Sequence, residues 1–472
     1  MSKRIPKKIL LPHLKLTKVA KETESGTTAV NIPNPALSYH TIPDTSFNNS
    51  FNLFPIVLDS NGIPWAEAVI YILSRLKDTM HPIMGTYASI AEDLAVYRRF
   101  LDESGLNWSS FPTQKLMRPT YRFNGHLKLL TSSGEMAVST AKRTMGTVIS
   151  FYRWIQEEKL LVIDNPPWKE TDRYIEIKNT QGFSNLKQIN TTDLSISIPS
   201  QNDPYGETID DGGKLRPLPL QEQKWVIDAL DSLGNTEMKL IHLFSLLTGS
   251  RIQTVLTLKV KHVISDLEIN NSNEIRLPIG PGTDIDTKND KKMSLHIPKW
   301  FYAQLQIYAY SDRAKRRRLK AQGGDTENQY LFLSVRAVPL YEDKSSKQNY
   351  NPENTLRHNK VGQGVRQFIT EKVIPFVQQK YNVPNFHYRF HDLRATAGMN
   401  WTDYGLSLVE KKKLNLREVR EFVKNRMGHE SAAVTDRYLQ YRQHQQLTKE
   451  VSIGYEEWIK LLSTKEAGGF NE

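Results

Sequence analysis

The chain has 472 residues, no cysteine, and 63 lysine and arginine residues against 51 acidic ones, a formal charge of +12. This length accommodates two or three domains, and the missing cysteines exclude disulfides, thiolate nucleophiles and zinc held by cysteine. No apolar run approaches the roughly 18 residues that a membrane span needs. The basic excess indicates a polyanionic partner, nucleic acid before membrane, with a merely basic enzyme as the alternative.

The N-terminus is basic over residues 1–21, where lysine and arginine occur without any acidic residue. Such blocks are usually mobile and often contact nucleic-acid backbones, and a solvated tail is the alternative. The segment lacks the apolar core and cleavage site of a secretory signal, so we expect a cytoplasmic protein that stays with the chromosome. Residues 22–60 are rich in Asn, Ser, Thr and Pro and predict extended or irregular chain. Residues 1–61 are therefore expected to form a basic arm followed by an extended segment.

Residues 62–170 show three stretches of helical periodicity, which predict a small helical domain. The first runs from Trp65 to Leu76, the second from Tyr87 to Leu101, and the third from Ala141 to Trp154. Apolar residues recur there every three or four positions, as on the face of a helix that packs on a core. Basic residues on or beside the third helix are candidate DNA contacts: Lys142, Arg143 and Arg153.

Residues 171–215 are predicted to be a linker with one strand at Leu194–Ile198. Its last part, QNDPYGETIDDGGK, combines turn residues with acidic ones and is a candidate hinge. A second domain over residues 216–446 then opens with one helix around Trp225 and another that ends at Thr248-Gly249. Short β-like runs follow and predict a small antiparallel sheet: Lys259–Ile264, Glu274–Ile279 and Met293–Ile297.

The rest of the second domain is predicted to be helical. One helix runs from Trp300 to about Leu319 and ends in the basic run Arg313–Arg318. Arg316 and Arg317 in this run are candidate contacts to DNA phosphates, and a solvated helix end is the alternative. Residues 447–472 form a tail whose apolar stripe is expected to pack either on its own domain or on a neighbouring protomer: Tyr455, Trp458, Ile459 and Leu462.

Three clusters in the second domain carry residue types that suit a phosphodiester. Arg251 follows a glycine at the start of a fresh helix, where free backbone N–H groups favour an anion. His391 and Arg394 lie three positions apart and share one face of a helix. Arginine forks onto two phosphate oxygens, and histidine transfers protons near neutral pH. His429 lies at a turn between two helices, and Tyr438 lies about two turns into the second of them.

The motifs TGSR with Arg251, HDLRAT with His391 and Arg394, and MGHES…TDRY with His429 and Tyr438 occur in this order within one domain. In this the sequence resembles the tyrosine recombinases of the phage-integrase type. The resemblance covers about residues 62–445, and the helical domain is similar to the family's core-binding, SAM-like domain. It implies a mainly α fold with a small antiparallel β-sheet, an α+β arrangement in which the two domains clamp duplex DNA.

The resemblance also implies the roles of the site residues. Tyr438 would attack a DNA phosphate as the nucleophile, not serve as a core residue, and would form a 3′-phosphotyrosyl bond. Arg251 and Arg394 would hold the non-bridging oxygens, His429 would donate a hydrogen bond to them, and His391 would handle the tyrosine proton.

The family also uses a lysine on a β-hairpin to protonate the leaving 5′-oxygen. Position within the turn favours Lys288, with Lys291 and Lys292 as alternatives. The chain departs from the family at Thr254, where glutamate is usual, and in a longer gap before His429. No metal and no nucleotide cofactor is implied, because arginines neutralise the charge and the phosphotyrosine stores the bond.

The implied partners are double-stranded DNA, a homo-tetramer on paired sites, and accessory DNA-bending or directionality factors, with no membrane. The expected activity is integration or excision of a mobile element that is prokaryotic or phage-encoded. Two alternatives remain open: a type IB topoisomerase, which uses the same residue types, and a non-catalytic DNA-binding relative.

Overall fold

The computed structural model describes residues 5–21, 27–33, 36–44, 49–77, 79, 82–178, 184–197, 208–264, 273–345 and 360–467. The chain divides into two compact units, residues 1–201 with 345–359 and residues 202–344 with 360–472. Helices prevail over the described residues, and every sheet is small and antiparallel. The predicted mainly α class with small antiparallel sheets is confirmed, while the finer division into five segments stays a prediction. Across these ranges, no helix is long and apolar enough to cross a membrane.

The first unit begins with strands. Lys8 forms an ion pair of 2.9 Å with Glu92, and the strand that carries Lys8 pairs along its length with a later strand. The described residues 5–21 are therefore ordered, and the expectation of a mobile arm is wrong for them; residues 1–4 lie outside the described residues. The strands are β1 (Lys7–Lys15), which pairs with β5 (Ser50–Leu58), and β2 (Thr17–Ala20), β3 (Thr28–Pro33) and β4 (Ala36–Pro43), which form a sheet in the order β2-β4-β3.

Four helices follow, and the sequence pattern missed the third of them. This helix buries Thr120 and Asn124 beside its apolar residues, which breaks the apolar periodicity. Both polar side chains bond backbone carbonyls, Thr120 that of Pro167 at 2.5 Å and Asn124 that of Leu194 at 2.7 Å, so their burial is satisfied. The helices are α1 (Ala66–Lys77), α2 (Met84–Ser104), α3 (Pro119–Ser132) and α4 (Val138–Glu157).

The predicted linker contains an ordered hairpin of β6 (Glu170–Lys178) and β7 (Ser184–Thr192). The strand predicted at Leu194–Ile198 is wrong for its described residues, because Leu194 and Ile196 are buried in the core of the first unit without a strand partner; Ile198 lies outside the described residues. Alternation there reflects two side chains that anchor a loop.

The first described element of the second unit is a hairpin with strands of two residues each, β8 (Ile209–Asp210) and β9 (Lys214–Leu215). Later, β10 and β11 form the predicted antiparallel pair. The strand predicted at Lys259–Ile264 is wrong: the His262 imidazole accepts a hydrogen bond of 2.9 Å from the Lys259 N–H and turns the chain into a short helix. The elements are α5 (Leu220–Ser232), α6 (Thr236–Thr248), α7 (Ile252–Leu256), α8 (Lys261–Ile264), β10 (Glu274–Ile279) and β11 (Met293–Pro298).

The helix predicted from Trp300 to Leu319 is two helices. Ser311 has extended backbone, and its hydroxyl accepts a hydrogen bond from the Ala314 N–H at 3.2 Å, which caps the second helix. The remaining helices are α9 (Lys299–Tyr310), α10 (Asp312–Lys320), α11 (Gln363–Phe368), α12 (Ile374–Tyr381), α13 (Asp392–Glu410), α14 (Leu416–Met427) and α15 (Ala432–Ala467), with a π-helical turn (Ile369–Val373) between α11 and α12.

One buried histidine makes the stability of the second unit sensitive to acid. His242 donates from Nδ1 to the Met238 carbonyl at 2.6 Å, and its Nε2 accepts from the Tyr388 hydroxyl at 3.1 Å. Burial lowers the pKa of His242 from 6.5 to about 4. The unfolded chain therefore binds this proton more readily between those two values, and stability falls as the pH falls through that window.

Between about pH 6.5 and about pH 5, we expect the free energy of unfolding to fall by roughly 1.5 kcal/mol less in His242→Gln than in the wild-type protein, because the variant lacks the group that takes up this proton on unfolding. Urea unfolding of the variant and of the wild-type protein at both pH values measures this difference. Equal pH dependence in the two proteins would contradict it.

Candidate active site

Four of the residues predicted for the site surround one carboxylate. Arg394 Nε donates to Asp211 Oδ2 at 2.9 Å, the Tyr438 hydroxyl donates to the same oxygen at 3.0 Å, and His429 Nε2 lies 3.2 Å from it. Arg251 Nη2 lies 3.7 Å from the other oxygen, Oδ1. Two guanidinium groups, an imidazole and a phenol thus face a single anion.

Arg394 is held rigidly at the centre of this site. It is 4% exposed, and its two terminal nitrogens, Nη1 and Nη2, donate to the Gly249 carbonyl at 2.7 Å and the Met427 carbonyl at 2.9 Å. These carbonyls lie at the C-terminal ends of α6 and α14, where a cation is stabilised. One side chain on α13 therefore joins two helix ends and presents its third edge to the anion.

Arg251 is the residue just before α7, which has only five residues. The helix-end contribution that its sequence position suggests is accordingly small, and the guanidinium itself supplies the charge. Burial, followed by the neighbouring Arg394, lowers the pKa of Arg251 to about 10, so it stays protonated at neutral pH. Its Nε is buried and has no hydrogen-bond partner among the described residues.

His429 follows Gly428, whose left-handed backbone (φ 64°) ends α14. The Thr435 hydroxyl lies 2.9 Å from His429 Nδ1. When this hydroxyl donates to Nδ1, the neutral imidazole carries its hydrogen on Nε2, which then donates to Asp211. Burial lowers the pKa of His429, with Asp211 opposing and Arg394 reinforcing the shift. Thr435 lies within the TDRY motif but was not among the residues predicted for the site.

Tyr438 is a core residue as well as a member of the site. Its ring is fully buried in a cluster with Met399, Val423 and Met427, so the expectation that it does not belong to a core is wrong. Burial, and then the adjacent Asp211, raise the pKa of its hydroxyl well above 10, which keeps it protonated in this state. Only the hydroxyl reaches the anion.

Lys288 lies on the connection between β10 and β11, in a short 3-10 turn. Its ammonium lies beside Gly212: a Cβ on that glycine would be 3.0 Å from Lys288 Nζ. Lys288, Lys291 and Arg251 line one small cleft. Lys291 Nζ also lies 3.6 Å from Glu430 Oε1, while Lys292 is exposed. Which lysine acts stays a prediction, with Lys288 nearest to the turn that carries Asp211.

The hydroxyl of Thr254 fixes the position of this connection. It donates to the Asp286 carbonyl at 2.9 Å, two residues before Lys288. The departure from the family pattern at this position therefore leaves a polar side chain that ties α7 to the lysine-bearing loop.

His391 lies on the wall of a neighbouring cavity of about 520 Å³, which Arg251 and Lys288 also line. Burial, and then Arg251 and Arg394, lower the pKa of His391 to about 4. It is therefore neutral at pH 7 and able to accept a proton. Three further basic residues, none of them predicted for the site, also line this cavity: Lys214, Arg366 and Arg389.

The basic residues predicted to contact DNA from the helical domain differ in whether they pair with an acidic side chain. Lys142 is exposed. Arg143 pairs with the buried Asp93 at 2.9 Å, and Arg153 pairs with Glu170 at 3.2 Å. The charges of Arg143 and Arg153 are thus partly compensated within the chain.

Two arginines in the basic run of α10 make hydrogen bonds and ion pairs within the protein. Arg317 is 13% exposed at its side chain, bonds the Leu333 carbonyl at 2.6 Å and pairs with the buried Glu237 at 3.1 Å. Arg313 bonds the same Glu237 at 2.7 and 2.8 Å. The expectation that Arg317 contacts phosphate is therefore not supported by its surroundings, whereas Arg316 is exposed.

Within the described part of the chain, no group of three or more His, Asp or Glu side chains has the arrangement of a metal site.

No protein-family model and no curated protein matches this sequence. Among solved structures, the chain is similar to the XerH site-specific recombinase bound to a palindromic difH substrate, at 14% identity and TM-score 0.44, over 84% of this chain and 92% of that one. It is similar to the Tn1549 transposon integrase with circular-intermediate DNA (14% identity, TM-score 0.44, 79% and 94% covered). A lambda integrase dimer bound to a COC′ core site gives 13% identity and TM-score 0.40, with 79% and 94% covered. All three are tyrosine recombinases, the family that the sequence motifs resemble.

Close packing of Gly398 against Tyr438 allows a direct test of this geometry. A Cβ on Gly398 would lie 2.5 Å from Tyr438 Cε1. Gly398→Ala should therefore displace the ring and lower the free energy of unfolding by about 1–3 kcal/mol, as measured by urea unfolding.

The control is Gly146→Ala on α4, where a Cβ meets nothing within 4 Å. It should raise stability by about 0.5–1 kcal/mol, since alanine favours the helix. If Gly398→Ala behaves like this control, the ring does not pack against α13.

Proposed function

We propose that this protein is a site-specific DNA recombinase of the tyrosine type, which cleaves and rejoins DNA strands through a 3′-phosphotyrosyl intermediate. The observation that carries this proposal is the convergence of Arg394, His429 and the Tyr438 hydroxyl on one anionic oxygen, at 2.9, 3.2 and 3.0 Å. A phosphodiester at that point would have an oxygen held by a guanidinium and an imidazole, with the phenol oxygen beside it. The order of the three motifs supports the same function.

In the cleavage step, the Tyr438 oxygen forms a bond to phosphorus and the bond to the 5′-oxygen breaks. His391 takes the tyrosine proton, and Lys288 delivers a proton to the leaving oxygen. Arg251 and Arg394 stabilise the charge that develops on the non-bridging oxygens. Attack of a 5′-hydroxyl from another strand on the phosphotyrosine reverses the step and joins the new strand.

The electrostatics of His391 suit this role. Its pKa of about 4 reflects burial and two neighbouring guanidinium groups. A bound phosphodiester would take over the negative charge that Asp211 supplies near the imidazole, and it would stabilise the imidazolium that forms when His391 accepts the tyrosine proton.

We assign double-stranded DNA as the partner of both units, with Lys142 and the core-binding domain on backbone phosphates. The assembly would be a homo-tetramer on paired sites, helped by accessory DNA-bending or directionality factors. The proposed reaction is integration or excision of a mobile element, in the cytoplasm where a prokaryotic chromosome lies.

Replacement of the nucleophile tests the proposal. Protein is incubated with DNA from its source, the reaction is stopped in detergent, and covalently attached DNA ends are sequenced to define the site. A duplex nicked next to that site then traps the adduct. Tyr438→Phe should lower adduct formation by roughly 10³-fold or more, because no other group forms the bond, and should leave DNA binding intact.

Tyr441→Phe is the matched control, since Tyr441 lies one turn further along the same helix, with its hydroxyl bonded to Gln445 at 2.8 Å. It should form adduct at nearly the wild-type rate. DNA binding without any wild-type adduct would favour the non-catalytic alternative. Plasmid relaxation without preferred sites or recombinant joints would favour the topoisomerase.

A further inference from the structure

The residue at the centre of the site, Asp211, comes from the β8–β9 hairpin and from none of the three motifs. Its N–H bonds the Gly213 carbonyl at 3.1 Å across a tight turn. Gly212 and Gly213 have φ of 70° and 150°, a region that other residues rarely adopt. Any side chain on Gly212 would also meet Lys288 Nζ at 3.0 Å. The Asp-Asp-Gly-Gly sequence therefore permits this close approach to the site.

Among the described residues, every polar partner of the Asp211 side chain is a residue that the proposed function places on the scissile phosphate. The carboxylate bonds Arg394, His429 and Tyr438 and faces Arg251, and Asp211 is 3% exposed. A carboxylate and a phosphate present similar oxygens to a guanidinium fork. Asp211 thus occupies the place at which a phosphodiester would bind.

Other residues of the second unit also hold the rest of the hairpin. Arg437 donates to the Asp210 carbonyl and Arg389 to the Lys214 carbonyl, both at 2.5 Å. Ile209 is 2% exposed and packs in the cluster that contains Tyr438. Basic side chains next to the site are therefore bound to protein carbonyls in this state.

We propose that the β8–β9 hairpin is an autoinhibitory lid, whose Asp211 carboxylate mimics the scissile phosphate and must leave before DNA can be cleaved. This inference rests on the proposed recombinase function. A phosphodiester and the carboxylate cannot share one set of donors, because they would overlap and repel each other. A long DNA backbone that binds both units supplies many contacts and can displace a single carboxylate.

A role for Asp211 as the base that takes the tyrosine proton fits the structure less well. Burial favours the neutral acid, yet His429, Arg394 and Arg251 together hold the pKa of Asp211 far below its usual range. Such a carboxylate is a weak base at neutral pH. It also occupies the space that the reacting phosphate needs.

Binding of inorganic phosphate to the full-length protein tests the lid without any cleavage. Asp211→Asn removes the competing charge, and calorimetric titration should show phosphate affinity raised by at least about tenfold over wild type, because a larger fraction of the protein has a vacant site. Asp210→Asn is the matched control. It removes a carboxylate of the same hairpin that lies outside the anion site and 3.6 Å from the exposed Arg437, while the bond from Arg437 to the Asp210 carbonyl stays. It should bind phosphate as weakly as wild type.

Ile209→Ala provides a second test that leaves the carboxylate in place, should Asp211→Asn fail to fold. It removes one of the two buried apolar side chains of the hairpin, the other being Leu215, and phosphate affinity should rise here too. Unchanged phosphate affinity in both variants, or in the one that folds, overturns the lid.

Adduct formation on the mapped DNA site separates this inference from the function on which it rests. Faster adduct formation by Asp211→Asn than by wild type supports both. Tighter phosphate binding by the variants, with no adduct from any protein, would support a hairpin that covers an anion site and would contradict the recombinase function. Slower adduct formation by Asp211→Asn, with phosphate affinity unchanged, makes Asp211 a positioning residue and rejects the lid.

Discussion

A buried guanidinium organises the second unit. Arg394 cannot lose its proton, and a charge of this kind is tolerated in a protein interior only if nearly every donor has a partner. Two of its edges meet this demand with the Gly249 and Met427 carbonyls, which fixes the ends of α6 and α14 relative to α13. The segments that follow these helix ends carry Arg251 and His429. The hydrogen bonds that Arg394 makes to these two carbonyls thus help to fix the position of the site.

The same constraint explains why Tyr438 can be both core and reactive. Its ring is held by Gly398, Met399 and Met427, so the hydroxyl has little freedom to search. Thr435, one helical turn earlier, sets the tautomer of His429. A rigid apolar setting thus places a polar atom with a precision that an exposed tyrosine would lack.

Residues in local motifs were predictable from the sequence because helix ends are encoded locally. Gly249 and Gly428 mark the ends of α6 and α14; Arg251 lies two residues after Gly249, and His429 follows Gly428 directly. Asp211 was not predictable as a member of the site, since it lies 183 residues from Arg394 and 227 from Tyr438 in sequence. Its Asp-Asp-Gly-Gly turn indicated only a hinge. Helix α3 was missed for a related reason, because the partners of Thr120 and Asn124 are distant carbonyls.

The Asp211 carboxylate has one more consequence, which concerns charge balance. Burial lowers the pKa of Arg251 most, and repulsion from Arg394 lowers it further. Without an anion between them, the two guanidinium groups would tend to separate. With the carboxylate in place, both guanidinium groups are held in position before any DNA arrives. Exchange of one singly charged anion for another then leaves the local charge unchanged, so little of the surrounding protein has to reorganise.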